Sequence, residues 1–194
     1  MYDFLYNIDL SIFNFLNQTI SNPLFDKFFP FITDVKNWYI AYIILWLIAI
    51  FKGGRIGKIS AIGVIVLIAI SDQISSHMLK PFFERVRPCN VVENVHLLVN
   101  CTRSYSMPSS HAVNNFAVAI FFSRLFPKLK IVLILVASLA ALSRPIVGVH
   151  YFSDILVGAI IGSIIGYILS IAAIKIDDYF KHKLTNKTEE HDAN

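Results

Sequence analysis

An all-α bundle of about five to six helices embedded in a membrane is the fold class the sequence predicts, and three observations predict it. Of 194 residues, 56% are hydrophobic and only 15% are charged, whereas a soluble domain is nearer a quarter charged. Mean hydropathy is +0.62. Several apolar runs approach the ~20 residues a helix needs to cross a bilayer, and short turns carrying Lys and Arg separate them. The length suits a single membrane-embedded domain over 1–180, followed by a polar tail over 181–194 that is expected to be disordered. The net charge of +4 is modest and no basic run is interleaved with aromatics, so nucleic-acid binding has no support. The first 26 residues hold no Lys or Arg and are not expected to be a secretory signal.

The elements follow in order. Leu5, Ile8, Ile12, Phe15 and Ile20 approximate a helical stripe, with Asn7, Asp9, Ser11, Asn14 and Asn17 polar. Over 1–22 this reads as an amphipathic helix in the membrane interface, and an ordinary packing helix fits the same pattern. Asn22-Pro23 ends it. The first span covers Trp38 to Phe51, with a partly helical Leu24 to Phe31 upstream. Trp38 and Tyr39 suit the interfacial aromatic belt. After the turn Lys52-Gly53-Gly54-Arg55, the second span runs from Ile56 to Leu79. Lys80 to Met107 is a loop. Further spans are expected at Ser109 to Phe126, Ile131 to Leu142 and Phe152 to Ile174.

Orientation follows from the basic residues. Ten Lys and Arg fall on the side of the C-terminal tail and seven on the other, and three of those seven (Lys80, Arg87 and Arg144) are claimed below for chemistry. The C-terminus is therefore expected to be cytoplasmic, with the long loop extracytoplasmic. Cys89 and Cys101 both fall in that loop. An oxidising compartment permits a disulfide between them, which would stabilise by roughly 3 kcal/mol by closing a loop of about a dozen residues. Two free thiols are the alternative.

Three polar stretches then emerge on one face of the membrane: Lys80 to Pro88, Pro108-Ser109-Ser110-His111, and Ser143 to Asp154. In the last, His150 and Asp154 are four apart, so a helix beginning at Val149 would make them neighbours. A carboxylate there holds one imidazole nitrogen and leaves the other free to react. Lys80, Arg87 and Arg144 add three cations, and the N-termini of the third and fifth spans offer free N–H groups. Together they suit a doubly charged phosphoryl group. Asp72 shares a helical face with Ser76 and Lys80 at i, i+4, i+8. It either supports Lys80 from behind or sits close enough to the interface to stay hydrated.

These residues resemble the signature of the type 2 phosphatidic acid phosphatase (PAP2) superfamily of membrane lipid phosphatases: K-x6-R-P, then P-S-G-H, then S-R-x5-H-x3-D. Lys80, Arg87 and Pro88 fit the first part, and Ser143, Arg144, His150 and Asp154 fit the third. The second departs, with Ser110 where the family has Gly. The resemblance implies a core like that of the vanadium haloperoxidases and His150 as a nucleophile forming a phospho-histidine. It implies Asp154 as its orienting partner and His111 as the acid that protonates the leaving oxygen and then activates water. Lys80, Arg87, Arg144, Ser109 and Ser110 would hold the phosphoryl oxygens, with no metal and no cofactor. The expected partner is a phosphorylated membrane lipid, with no obligatory protein partner. Candidate substrates are lipid A 1-phosphate or undecaprenyl pyrophosphate, then phosphatidylglycerophosphate or phosphatidic acid. The expected location is a bacterial cytoplasmic membrane, with the site facing the periplasm. A lipid phosphotransferase using the same histidine and a non-catalytic lipid carrier are the alternatives.

Overall fold

The computed structural model of the chain describes residues 2–192, with side chains from 4 to 183. Among the described residues every regular element is helical. Helix α1 (Tyr2–Asn14) winds into a π turn, Phe15–Thr19. Asp9, Phe13 and Asn17, spaced by four, are buried, while Leu5, Ile8 and Phe15 are exposed. Asp9 and Asn17 therefore face the protein together with Phe13, while Asn7 and Ser11 stay exposed beside Leu5, Ile8 and Phe15. Where the surroundings are lipid, turning the Asp9 carboxylate and the Asn17 amide inward is the cheaper arrangement. Asn17 shows what the inward face does: its amide donates to the carbonyls of His96 and Ile146 and accepts from the His96 N–H.

Asn22-Pro23 ends that segment and also starts α2 (Pro23–Thr33). The Asn22 side chain accepts from the N–H groups of Leu24 and Phe25, each at 3.0 Å, an N-cap followed by Pro in the first turn. A 3₁₀ turn, Val35–Trp38, leads into α3 (Tyr39–Lys52), none of whose residues is buried. Helix α4 (Gly54–Gln73) runs on through a π segment, Ile74–Leu79, into α5 (Lys80–Phe83), which stops where Glu84 turns left-handed. The loop that follows contains a single turn, α6 (Pro88–Val91), and is closed by a disulfide between Cys89 and Cys101. Helices α7 (Ser110–Leu125), α8 (Lys130–Ile146) and α9 (Phe152–Asp192) complete the bundle. The tail expected to be disordered falls, from residue 184 onward, outside the residues whose side chains are described.

Among the described residues, four helical stretches are long and apolar enough to cross a membrane: Val35–Lys52, Gly54–Val91, Pro127–Ile146 and Phe152–Lys183. They hold four of the five expected spans. The fifth, α7, has only 16 residues, about 24 Å at 1.5 Å per residue. It lies inside the bundle against α4, α8 and α9, with Val113, Ala117 and Phe121 in the main core alongside Leu67 and Ile165. An interior helix touches little lipid, so it can carry Asn114 and Asn115 without cost to the span.

The α7–α9 contact positions the site. Gly158, Gly162 and Gly166 recur every fourth residue on α9. A Cβ at Gly162 would lie 2.2 Å from the Val113 carbonyl oxygen, and one at Gly166 would lie 2.3 Å from that of Ala117. The two backbones touch along this ridge, the close approach that small residues permit between membrane helices. The N-termini of α7 and α9 are thereby held side by side at one end of the bundle. Toward the opposite end, Arg55 and Asp177 pair at 2.5 Å.

Candidate active site

His150 lies outside α9, because the chain turns at Gly148 (φ +88°) and the helix begins only at Phe152. The expected i, i+4 helical pair therefore forms differently. Asp154, in the first turn of α9, reaches back over the helix end, and its Oδ2 accepts from the Tyr151 N–H at 2.8 Å, as the acid of a capping box does. The same oxygen lies 3.4 Å from His150 Nδ1 and accepts from Ser106 Oγ at 2.5 Å. Its partner oxygen, Oδ1, accepts from Arg85 at 2.7 Å. Asp154 is fully buried, as a carboxylate with this many donors can be.

The imidazole of His150 is defined from both sides. Its Nε2 lies 3.1 Å from an Arg87 terminal nitrogen, and a guanidinium can only donate. Nε2 therefore carries the lone pair and Nδ1 the proton that faces Asp154 and Ser106. Burial, with Arg87 and Arg144 adding to it, lowers the His150 pKa to about 3 against the opposing pull of Asp154. The ring is neutral at physiological pH, with its unprotonated nitrogen turned to the cations.

A pocket of about 280 Å³ is lined by Lys80, Arg87, Arg144, His111, Ser110 and His150, together with Ser76, Thr102 and Ser104. The three separate stretches of sequence thus meet around one space. Lys80 is buried and donates to the Tyr105 carbonyl at 2.6 Å. Arg87 is anchored on Ser104, through its carbonyl at 2.8 Å and its hydroxyl at 3.0 Å. Arg144, which the sequence places in a linking stretch, sits in the last turn of α8. It donates to the Thr33 hydroxyl at 2.6 Å, and its Nε is buried without a partner. The Thr33 carbonyl also lies 3.1 Å from His111 Nε2, which must be the protonated nitrogen because a carbonyl only accepts. That leaves the lone pair of the neutral His111 ring on Nδ1.

The two serines and Asp72 take separate places. Ser109 caps α7 without a side-chain bond, its N–H is already donated to the Asp154 carbonyl, and its hydroxyl is buried and unpartnered. It joins the two helix ends and does not line the pocket. Ser110 does line it, with its hydroxyl 3.0 Å from Ser75 and 3.3 Å from Ser76. Asp72 accepts from Ser76 at 3.2 Å, and among the described residues no hydrogen bond joins it to Lys80. Asp72 is exposed, which fits the second of its two readings, a carboxylate close enough to the interface to stay hydrated. Sequence reasoning passed over Arg85, Asp9, Ser106, Ser104 and Thr33. Arg85 stands two residues before Arg87, outside the spaced signature. Among the described residues, no group of three or more His, Cys, Asp or Glu could hold a metal ion.

The chain is similar to known proteins over most of its length. The chain is 31% identical to the lipid A 4'-phosphatase of Bacteroides thetaiotaomicron over 184 residues, covering 91% of this chain and 81% of that one. It is 30% identical to the lipid A 4'-phosphatase of Porphyromonas gingivalis over 173 residues, covering 85% and 72%. The crystal structure of Aquifex aeolicus LpxE superposes with a TM-score of 0.70 at 29% identity, over 85% of this chain and 95% of that one. The PAP2 superfamily profile matches residues 60–176, which include Lys80, Arg87, His111, Arg144, His150 and Asp154. This chain, a multi-pass membrane protein and a lipid phosphatase, belongs to the PAP2 superfamily.

Proposed function

We propose that the protein removes phosphate from a lipid headgroup through a phospho-histidine on His150, with lipid A the leading substrate and undecaprenyl pyrophosphate the next. The observation that carries this reading is the unprotonated Nε2 of His150. It opens beside Arg87 in the pocket that Lys80, Arg144 and His111 also line. A phosphoryl group entering there is held by the three cations. His150 Nε2 attacks phosphorus as the bond to the lipid oxygen breaks. His111, doubly protonated beside the incoming anion, gives its Nδ1 proton to that oxygen and keeps its Nε2 proton on Thr33. The neutral His111 then takes a proton from water, the oxygen of which attacks phosphorus. The phosphorus–nitrogen bond breaks, inorganic phosphate leaves and the His150 lone pair is restored. Asp154 offsets the positive charge that His150 carries in the intermediate.

We assign the site to the extracytoplasmic side and the C-terminus to the cytoplasm. The distribution of Lys and Arg supports this, as does a disulfide in the loop beside the site.

The test is phosphate release from purified lipid A, undecaprenyl pyrophosphate and phosphatidic acid in detergent with EDTA present. Release that persists in EDTA and falls at least ~10³-fold in His150→Ala is expected. His150→Ala retaining wild-type turnover refutes the assignment, and loss of release under EDTA refutes the metal-free mechanism.

A further inference from the structure

A second chamber adjoins the phosphate pocket. It is a cleft of about 480 Å³, open to the surface, and it shares His111 and Arg144 with the first. Its other walls include Thr33, Asp34, Lys36 and Tyr39 from the α2–α3 connection and Asn100 from the disulfide loop, with the Asp34 carboxylate already accepting from the Lys36 N–H. The stretch 30–39 that supplies most of them lies upstream of the segment matched to the superfamily. Thr33 is the partition between the two spaces, since it holds His111 by its carbonyl and Arg144 by its hydroxyl. Lys36 lines the second chamber and not the first, and it is exposed.

We infer that this chamber receives the leaving-group side of the substrate: the sugar headgroup of a phosphoglycolipid, with Lys36 meeting a further anionic group on it. The inference rests on the phosphatase reading above. The oxygen that departs must lie against the residue that protonates it, so the leaving group extends past His111, where the chamber begins. The volume falls in the ~300–1,000 Å³ range of small-molecule sites and exceeds one hexose ring. Tyr39 offers an aromatic face and Asn100 an amide, groups that suit hydroxyls and sugar rings. A diacylglycerol leaving group would need neither them nor a cation.

Full-length protein in detergent micelles, as wild type, Lys36→Ala and Asn100→Ala, tests this with lipid A and phosphatidic acid as substrates. Fully dephosphorylated lipid A and its monophosphorylated form serve as inhibitors. Lys36→Ala is expected to lower kcat/KM on lipid A by about tenfold, the loss of one charge-assisted contact, and on phosphatidic acid by less than about twofold. Inhibition by the monophosphorylated form should weaken in Lys36→Ala, and inhibition by both forms should weaken in Asn100→Ala. Equal losses on the two substrates, or unchanged inhibition, overturn the subsite. If phosphatidic acid is not turned over, the inhibition constants alone decide. Wild-type protein releasing phosphate from neither lipid would overturn the phosphatase reading instead.

A separate observation concerns α1. Arg85 is stretched between two carboxylates, with one terminal nitrogen 2.6 Å from Asp9 and the other 2.7 Å from Asp154. Its guanidinium lies over the Tyr151 ring at 4.0 Å. Asp9 also accepts from the Ser153 N–H at 2.9 Å and from the Ser153 hydroxyl. We propose that Asp9 is a positioning residue for the phosphoryl transfer. It fixes the planar fork of Arg85, which fixes Asp154, which orients His150. Neither Asp9 nor Arg85 lines the phosphate pocket, so substrate binding should be spared. Asp9→Asn is expected to lower kcat by about tenfold with KM changed less than about twofold, and Asp9→Glu to recover part of the loss. Should Asp9→Asn fail to fold, Arg85→Lys keeps the cation without the fork and should show the same kcat loss. Unchanged kcat in the variants that fold, or a loss confined to KM, overturns the role.

Discussion

At His150 two opposing influences meet. Burial and the neighbouring guanidinium groups favour the neutral ring, while Asp154 favours the charged one, and the pKa settles at about 3. The unfolded chain protonates the same ring near 6.5. Between those values the unfolded chain binds the extra proton, so acid favours unfolding. The contribution of His150 to stability is complete above about pH 6.5 and is lost as pH falls toward 3. Thermal midpoints measured from pH 7 to pH 4 should therefore fall more steeply for wild-type protein than for His150→Gln. Parallel slopes would contradict the neutral, buried imidazole. The residue scale also shows the limit of sequence reading. Lys80, Arg87, His111, Arg144, His150 and Asp154 were legible because short fixed spacings hold them. Asp9 and Thr33 were not, because their partners Arg85 and His111 lie 76 and 78 residues away. No local pattern encodes such a contact.

Among the elements, α7 and α9 carry the most consequence for the site. Their glycine-lined contact leaves no room for a methyl group at Gly162, where a Cβ would lie 2.2 Å from a backbone oxygen. Gly162→Ala is expected to cost about 1–3 kcal/mol and to lower activity in step, because Ser109 and Asp154 are joined at the end of that contact. Ile160→Ala, on the exposed side of α9, should change the midpoint little. Equal effects from the two substitutions would show that the close approach is not needed. The disulfide loop acts similarly from above. The acceptors for Arg87 and Lys80, Ser104 and Tyr105, follow shortly after Cys101, so reduction of Cys89–Cys101 should lower stability by up to ~3 kcal/mol and raise KM more than it lowers kcat. Unaltered kinetics after complete reduction would show that other contacts suffice. Four spans were readable because a bilayer demands length and apolarity together. Helix α7 was readable as a helix but is too short to meet that demand alone. In α1 the two faces were visible in sequence, but which one turns inward depends on what surrounds the helix.

The whole molecule gathers cations at one end of a bundle whose sides are apolar. Exposed Ile, Leu, Val and Phe line α3, α4, α8 and α9, while Lys80, Arg87 and Arg144 surround the pocket beside His150. A lipid can keep its chains against those sides and lift its phosphate to the pocket, which is the arrangement a headgroup phosphatase requires. The claim that unites these features is covalent: phosphate passes through His150. Rapid quenching of the enzyme with ³²P-labelled lipid A in EDTA, followed by peptide mapping, tests it directly. An acid-labile, alkali-stable label on the peptide containing His150, absent in His150→Ala, is the expected result. Turnover by wild-type enzyme with no label on that peptide, or the same label on the His150→Ala protein, would contradict it.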